Sequence, residues 1–363
     1  MNAVYKPTAA FRGCDAVVRL DADRQNTPVR ILQLTDMQFI DAAQRRTPDR
    51  LRGDEIVAWA PDQLMAQCGN QIKSLVAQTK PDLIFLTGDL VYGSFDDSGA
   101  VFSWFCDFMD GFGVPWAPVF GNHDNETARG VDWQCEKLAA CEHCLFVRGA
   151  VSGNGNYTVG IAVGDTLVRV LHMVDSNGCA DCTDPAVIRQ AGIYPDQLAL
   201  FAQNAASIRE AQGKDVPAFM AFHIPTTDFL TAAQEKGYVG DTHTDYTIGV
   251  DVAAKDGDFG FCYERFGAIR PADDFMGYLR EIAVDGVFVG HCHRIATCVN
   301  HHGVRLVFGL KTGQYDYHLA GSLGGTLITL DGDDFTVSHI PAAVPLAPMP
   351  HGARFLQDFF VKE

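Results

Sequence analysis

The chain has 363 residues, of which 47% are hydrophobic and 20% are charged, and its formal net charge is −17. This composition is typical of a globular protein, and the length suffices for one large α/β domain or two smaller ones. The acidity argues against nucleic acid and anionic membranes as partners, because both would be repelled, but a small phosphorylated substrate stays compatible, since a bound metal reverses the local potential.

The sequence contains neither a membrane-spanning apolar run nor the apolar core of a signal peptide. We therefore expect a soluble, cytoplasmic protein. No repeat, low-complexity tract or linker-like shift in composition divides the chain. A single domain over residues 1–363 is predicted, with its core at about 29–345.

Seven short apolar runs alternate with longer segments of helical periodicity. The runs, which are typical of buried strands, cover residues 29–36, 82–89, 115–124, 167–176, 216–225, 285–293 and 304–313. Helices are predicted within 62–80, 102–112 and 195–212, the last of which begins at Pro195 and is followed by Gly213. This alternation predicts a layered α/β fold with largely parallel sheets.

Almost every apolar run ends in Asp, Asn or His. The carboxyl ends of parallel strands meet at one edge of a sheet, and ligands bind there. A single terminal Asp is often only a turn residue or a helix cap, but several buried carboxylates together need a compensating cation. The side chains at these ends are Asp36, Asp89, Asn122, His123, Asp124, His223, His291, Cys292 and His293.

These side chains carry the oxygen and nitrogen donors that Zn, Mn and Fe bind. In an extended segment, the spacing of His291 and His293 points both rings toward one face, so that they can serve two neighbouring metals. An Asp between two cations is a natural bridge, and two metals about 3.5–4 Å apart clamp a phosphoryl group and activate a water for in-line attack. The pattern favours such a centre over a set of unrelated caps and core histidines.

Five ordered segments resemble the sequence blocks of the calcineurin-like metallophosphoesterase superfamily. They are Thr-Asp-Met-Gln (35–38), Gly-Asp-Leu-Val-Tyr (88–92), Gly-Asn-His-Asp (121–124), Phe-His-Ile-Pro (222–225) and Gly-His-Cys-His (290–293). The Tyr of the second block, Asp175-Ser176 and Tyr194-Pro-x-Gln197 are similar to the purple-acid-phosphatase-like branch. The resemblance implies a four-layer α/β/β/α sandwich of two mixed sheets flanked by helices.

The resemblance also implies a role for each matching residue. Asp89 would bridge two transition-metal ions (Mn, Fe or Zn). The remaining ligands would be Asn122, His223 and His291 for one metal, and Asp36 and His293 for the other. His123 would be the catalytic residue beside the substrate phosphate, where it stabilises the developing charge or protonates the leaving oxygen, and Asp124 would orient its ring.

The first block departs from the family pattern at Gln38. Most members have a His at this position, and an amide oxygen is a weaker, neutral ligand. Three interpretations are open: Gln38 binds the first metal through its carbonyl oxygen, the site holds iron with Tyr92 as a ligand, as in purple acid phosphatases, or the first site is weak or empty.

The cysteines permit a further site. The chain has 11 of them, and Cys141/Cys144 and Cys179/Cys182 have CxxC spacing. The four thiolates together could hold a structural zinc, or each pair could be redox-active. Alternatively, most of the cysteines are small buried hydrophobic residues.

Taken together, these patterns favour hydrolysis of a small phosphomonoester by attack of a metal-activated hydroxide at a dinuclear centre. One alternative is a phosphodiesterase that acts on a small or cyclic nucleotide. Another is a metal-poor, non-catalytic binding protein on the same fold, against which the full set of metal-capable residues argues. The long segment 226–274 is predicted to be an insertion that shapes the substrate pocket.

Overall fold

The computed structural model describes residues 3–5, 9–41, 64–179, 191–242, 249–319 and 321–344. Within these ranges the chain forms two mixed β-sheets and six α-helices. The strands are β1 (Ala3–Tyr5), β2 (Ala16–Leu20), β3 (Val29–Leu34), β4 (Leu83–Thr87), β5 (Trp116–Val119), β6 (Tyr157–Val163), β7 (Thr166–Met173), β8 (Ala218–Ala221), β9 (Val250–Lys255), β10 (Asp258–Cys262), β11 (Val284–Val289), β12 (Ile295–His301), β13 (Val304–Phe308), β14 (Gly324–Asp331) and β15 (Asp334–Pro341). The helices are α1 (Leu64–Thr79), α2 (Ala100–Asp110), α3 (Val131–Ala139), α4 (Pro195–Gln212), α5 (Thr227–Glu235) and α6 (Phe275–Glu281).

The larger sheet has the strand order β1-β2-β6-β7-β8-β11-β13-β12-β10-β9, and the smaller has the order β15-β14-β3-β4-β5. The seven predicted strands are β3, β4, β5, β7, β8, β11 and β13, and the three predicted helices are α1, α2 and α4. Neighbouring members of this set pair in parallel, as predicted. Antiparallel hairpins such as β9–β10, β12–β13 and β14–β15 make both sheets mixed.

Strand β8 shows how the layers are built. Successive side chains of a strand point to opposite faces, and here Phe219 and Ala221 enter the core between the two sheets. Met220 and Phe222 enter a second core, which also contains residues of α4, α5 and α6. Across the first core, the ring of Phe288 on β11 lies 5.4 Å from that of Phe85 on β4. The α/β fold of two mixed sheets flanked by helices is thus confirmed.

The segment 226–274 contains helix α5 and the hairpin β9–β10, which forms one edge of the larger sheet. It therefore contains a helix and two strands of the larger sheet in addition to loops. No helix among the described residues is long and apolar enough to cross a membrane.

His172 on β7 gives a prediction about the pH dependence of stability. Its ring is buried, lies 3.0 Å from Thr158 Oγ1 and packs on Phe201. Burial lowers the pKa of His172 from 6.5 to about 3. Between these values the unfolded chain binds a proton that the folded chain does not. We therefore expect the stability of the wild type, relative to His172→Gln, to fall by up to about 1.4 kcal/mol per unit as pH drops below 6.5.

Urea unfolding of both proteins at several pH values between neutrality and pH 4 would measure this difference. A stability difference that is constant across this range would contradict the prediction. The substitution itself is expected to change stability at neutral pH, and only the slope of the difference with pH reports the proton.

Candidate metal centre

The loops that follow β3, β4 and β11 have an uncommon backbone conformation. Asp36, Gln38, Asp89 and His291 have φ values of 56°, 50°, 50° and 75°. Residues other than glycine rarely adopt the left-handed region, and such strain clusters at functional sites, where the surrounding structure enforces it. The amide of Asp36 donates to the carbonyl of Gly88, and that of Gln38 to the carbonyl of Asp89, at 3.1 and 2.8 Å. These bonds hold the first two loops together.

Two motif glycines allow the loops to approach each other closely. A Cβ on Gly290 would lie 2.1 Å from Thr35 Oγ1 and 2.6 Å from Asp36 Oδ2. A Cβ on Gly121 would lie 2.1 Å from Asp89 Oδ1. Any larger residue at either position would push a metal-capable carboxylate away.

Three other predicted ligands converge around His223 Nε2. This nitrogen lies 3.0 Å from Asn122 Oδ1, 3.4 Å from Asp89 Oδ1 and 3.3 Å from His291 Nδ1. The other ring nitrogen, Nδ1, lies 2.7 Å from the carbonyl oxygen of Thr87, so it is fixed as the donor. A proton or a metal ion at His223 Nε2 would give the oxygen atoms of Asn122 and Asp89 a positively charged partner. The donor set of one carboxylate, one amide oxygen and two imidazoles fits a transition metal.

The remaining pair, Asp36 and His293, lies next to this cluster. Ligand atoms of Asp36, Asp89 and His223 lie within 4.8 Å of one another, and all three residues are buried. His293 Nε2 is 3.3 Å from Asp36 Oδ1, and its Nδ1 is 2.9 Å from the carbonyl oxygen of Tyr317. The structure thus brings the predicted aspartates and histidines together.

Gln38 makes contacts that the sequence did not predict. Lys311 Nζ donates to Gln38 Oε1 at 3.0 Å and to the backbone carbonyl of Asp36 at 2.6 Å. The amide nitrogen of Gln38 donates to Asp89 Oδ2 at 3.3 Å. This orientation of the amide is the only consistent one, because an ammonium has no lone pair to accept a hydrogen bond. Lys311 lies in the predicted run 304–313, after the end of β13, but nothing in its local sequence marks it as part of the site.

Tyr92 lies beside His123. Its ring packs against that of His123, with the centroids 3.8 Å apart and the planes tilted by 30°. It also contacts Phe95 edge-on, with the centroids 5.3 Å apart. The role of Tyr92 as an iron ligand stays a prediction.

His123 is oriented by Glu126 rather than by Asp124. Nδ1 of His123 lies 3.2 Å from both carboxylate oxygens of Glu126. The Asp124 carboxylate instead accepts hydrogen bonds from the backbone amides of Leu90, Val91 and Gly121 at 2.8–3.2 Å. The prediction that Asp124 orients the ring is therefore wrong, because these amides occupy the carboxylate. Asp124 fixes the loop that carries Asp89, and sequence reasoning missed Glu126.

The charges of the cluster shift the pKa values of its histidines in opposite directions. Burial lowers the pKa of His123, but the carboxylates of Asp89 and Glu126 outweigh it and raise that pKa to about 10. Burial likewise opposes the protonation of His223, but Asp89 raises its pKa to about 9. Burial and the neighbouring charge of His223 lower the pKa of His291 to about 3. The charge of Asp89 therefore favours a proton on His223, and a bound metal would compete with that proton.

The predicted four-thiolate zinc site is not formed. Cys179 is disulfide-bonded, and a disulfide sulfur is not a thiolate ligand. Cys182 lies outside the described residues. Cys141 and Cys144 are free, and the Cys141 thiol lies against the carbonyl of Lys137 and the thiol of Cys106.

The segment 226–274 lies next to the centre at one point and lines a cavity elsewhere. A Cβ on Gly267 would lie 2.6 Å from His291 Nε2, so this part of the segment forms a wall of the centre. A separate cavity of about 530 Å³ is lined by residues that include Thr227, Arg270 and His302, and by none of the predicted metal ligands. The prediction that this segment shapes the substrate pocket stays a prediction.

The two-sheet sandwich with buried Asp, Asn and His side chains at the strand ends defines a protein of the metallophosphoesterase class. The sequence profile of the calcineurin-like phosphoesterase family matches residues 29–294. The chain therefore belongs to this family.

Several known proteins are similar to the chain. Probable inactive purple acid phosphatase 29 of Arabidopsis thaliana is 25% identical over 325 residues, covering 82% of this chain and 75% of the relative. Probable inactive purple acid phosphatase 14 of the same plant is 23% identical over 271 residues, covering 69% and 63%. These relatives support the purple-acid-phosphatase-like branch that the sequence motifs indicated.

Solved structures of similar fold include a dimetal phosphatase from Danio rerio, with a TM-score of 0.47 and 11% identity, covering 88% of this chain and 99% of that one. A purple acid phosphatase from yellow lupin (Lupinus luteus) has a TM-score of 0.48 and 12% identity, covering 88% and 53%.

Proposed function

We propose that the chain is a metal-dependent phosphoesterase that hydrolyses a small phosphomonoester. The observation that carries this proposal is the convergence of Asp89, Asn122 and His291 on His223 Nε2, beside the ring of His123. Membership of the calcineurin-like phosphoesterase family supports the reaction class.

When bound, a transition metal supplies Lewis-acid polarisation of the phosphate and activation of a water molecule. The chain's own residues supply the rest. His123, whose Nδ1 is held by Glu126, presents Nε2 as the nitrogen that donates a proton to the leaving oxygen. Asp124 keeps the Asp89 loop in place through three backbone amides.

A non-catalytic metal-binding protein is the second candidate. It is favoured by the contact of Lys311 with Gln38, which occupies the amide oxygen that would otherwise be offered to a first metal. The relatives described as probable inactive phosphatases agree with this candidate. Only a measurement of turnover separates it from the enzyme.

The test is to purify the protein without chelator, to measure Mn, Fe and Zn per chain, and to assay the same sample. The substrates are p-nitrophenyl phosphate, a monoester, and bis-p-nitrophenyl phosphate, a diester. Metal-dependent turnover of the monoester supports the proposal. Turnover of the diester alone would replace it with a phosphodiesterase, and a metal-loaded protein without turnover on either would favour the second candidate.

Glu126→Gln is expected to lower kcat about tenfold, the lower end of the usual effect of a residue that orients a functional histidine. The substitution keeps the size of the side chain and removes the charge that fixes His123 Nδ1. Metal content and KM are expected to stay unchanged, because the Glu126 carboxylate holds His123, which is not one of the proposed ligands. The control is Glu136→Gln, which makes the same change on an exposed side chain of α3. A fall in metal content would show instead that Glu126 supports the whole centre.

A further inference from the structure

We infer that the ammonium of Lys311 takes the place of the first metal, so that the chain binds one transition-metal ion where its family binds two. The ion would be held by Asp89, Asn122, His223 and His291. The inference rests on the proposed function, because both use this metal site. It assigns a role to Lys311, a residue that lies outside the motif blocks.

The side-chain amide of Gln38 is engaged in hydrogen bonds at both ends. A metal ligand must present a lone pair, but Gln38 Oε1 accepts the hydrogen bond from Lys311 Nζ at 3.0 Å. The other end of the amide is a donor, and it points at Asp89 Oδ2 at 3.3 Å. An N–H group directed at the bridging carboxylate repels a cation that approaches the same oxygen. The resemblance places a histidine at this position in most of the family, so the chain has replaced a ligand by a donor.

The buried positive charge of Lys311 disfavours a second metal ion. Lys311 is 2% exposed, and its ammonium lies 2.6 Å from the backbone carbonyl of Asp36. The buried carboxylates of this region, Asp36, Asp89 and Asp124, need compensating positive charge, and one ammonium together with one divalent ion supplies three positive charges. A second divalent ion would bring like charge close to the ammonium in a buried region, where screening by water is weak.

Groups of the protein contact both carboxylate oxygens of Asp36. Its Oδ2 accepts hydrogen bonds from Thr35 Oγ1 at 2.6 Å and from the amide of His291 at 3.0 Å. Its Oδ1 lies 3.3 Å from His293 Nε2. Protein groups therefore satisfy both oxygens, and the pair of Asp36 and His293 is complete without a metal. The ligand set around His223, in contrast, offers its donor atoms to a common point.

The test measures stoichiometry rather than activity. The folded full-length protein is loaded with excess Mn(II), freed of unbound metal and analysed for Mn per chain, with the concentration of chain measured by amino-acid analysis. We expect one Mn per chain and the electron paramagnetic resonance spectrum of an isolated ion. Two Mn per chain, or the spectrum of an exchange-coupled pair, would overturn the inference.

Ligand variants locate the ion. Asn122→Ala is expected to lose at least tenfold in Mn affinity, whereas His293→Ala is expected to keep one Mn per chain. The reverse result would place the ion at Asp36 and His293 and refute the inference. A wild type that binds no Mn contradicts both this inference and the proposed function, whereas one bound Mn without turnover contradicts the proposed function alone.

A double variant tests Lys311 directly. Gln38→His together with Lys311→Met restores a ring nitrogen and removes the ammonium, so we expect Mn binding to rise to two per chain. Gln38→His together with Lys255→Met, which removes an exposed lysine on β9, is the matched control and is expected to stay at one. A double variant that keeps the circular dichroism spectrum of the wild type and still binds one Mn would refute the role of Lys311.

Discussion

Asp89→Asn is expected to abolish stable metal binding and to lower turnover more than about 100-fold. Substitution of residues that merely orient metal ligands already costs 10–100-fold in metal affinity, and Asp89 is a direct ligand in the proposed centre. Its Oδ1 faces His223 Nε2 and the backbone amide of His123, and its Oδ2 faces the amide of Gln38. The substitution keeps the shape of this side chain and removes the charge on which these donors converge.

Two measurements check this result independently of activity. Metal analysis should find little or no bound Mn in Asp89→Asn. Because a ligand that binds only the folded state stabilises it, excess Mn should raise the melting temperature of the wild type and leave that of the variant nearly unchanged. Asp107→Asn, which makes the same substitution on an exposed side chain of α2, should behave as the wild type. An equal Mn-induced stabilisation of Asp89→Asn would exclude Asp89 as a ligand.

His123→Asn is expected to lower kcat by about 10²–10⁴-fold while the metal content stays at the wild-type value. His123 has no place in the ligand set around His223, and its ring is held between Tyr92 and Glu126, beside the centre. The loss follows because an amide cannot donate the proton that the leaving oxygen needs. Removal of a general acid lowers the rate of proton transfer and leaves the binding of the metal unaffected.

Two phosphate esters whose leaving groups differ in pKa test whether His123 acts as the general acid. A phosphate ester whose leaving group has a low pKa, such as p-nitrophenol, needs less protonation than one whose leaving group is an alkyl alcohol. The loss in kcat should therefore be larger for the alkyl ester than for the nitrophenyl ester. Equal losses on both esters would argue that His123 stabilises charge on the phosphate instead. His302→Asn, at an exposed histidine of the β12–β13 turn, is the control.

The sequence predicted the strands that carry the site because their signals are local. A short apolar run that ends in a polar residue can be recognised without knowledge of its neighbours, and each of the seven runs contains most or all of a strand. The metal-capable residues follow from the same reading, because parallel strands deliver their ends to one edge. The antiparallel hairpins β9–β10 and β12–β13 were missed, although the turn of each contains a glycine. Asp256-Gly257 and His302-Gly303 have left-handed φ at both positions, as a two-residue hairpin turn requires.

Only the tertiary structure determined which side chains contact one another at the site. Glu126 rather than Asp124 contacts the His123 ring, because the Asp124 carboxylate accepts hydrogen bonds from backbone amides of two loops. Lys311 meets Gln38 across 273 positions of the sequence. A sequence pattern indicates which side chains reach the edge of a sheet, but contacts of this kind depend on how the two sheets and their loops pack. The sequence therefore determined where a metal centre lies in this protein, and the packing of the two sheets determined which groups surround each of its positions.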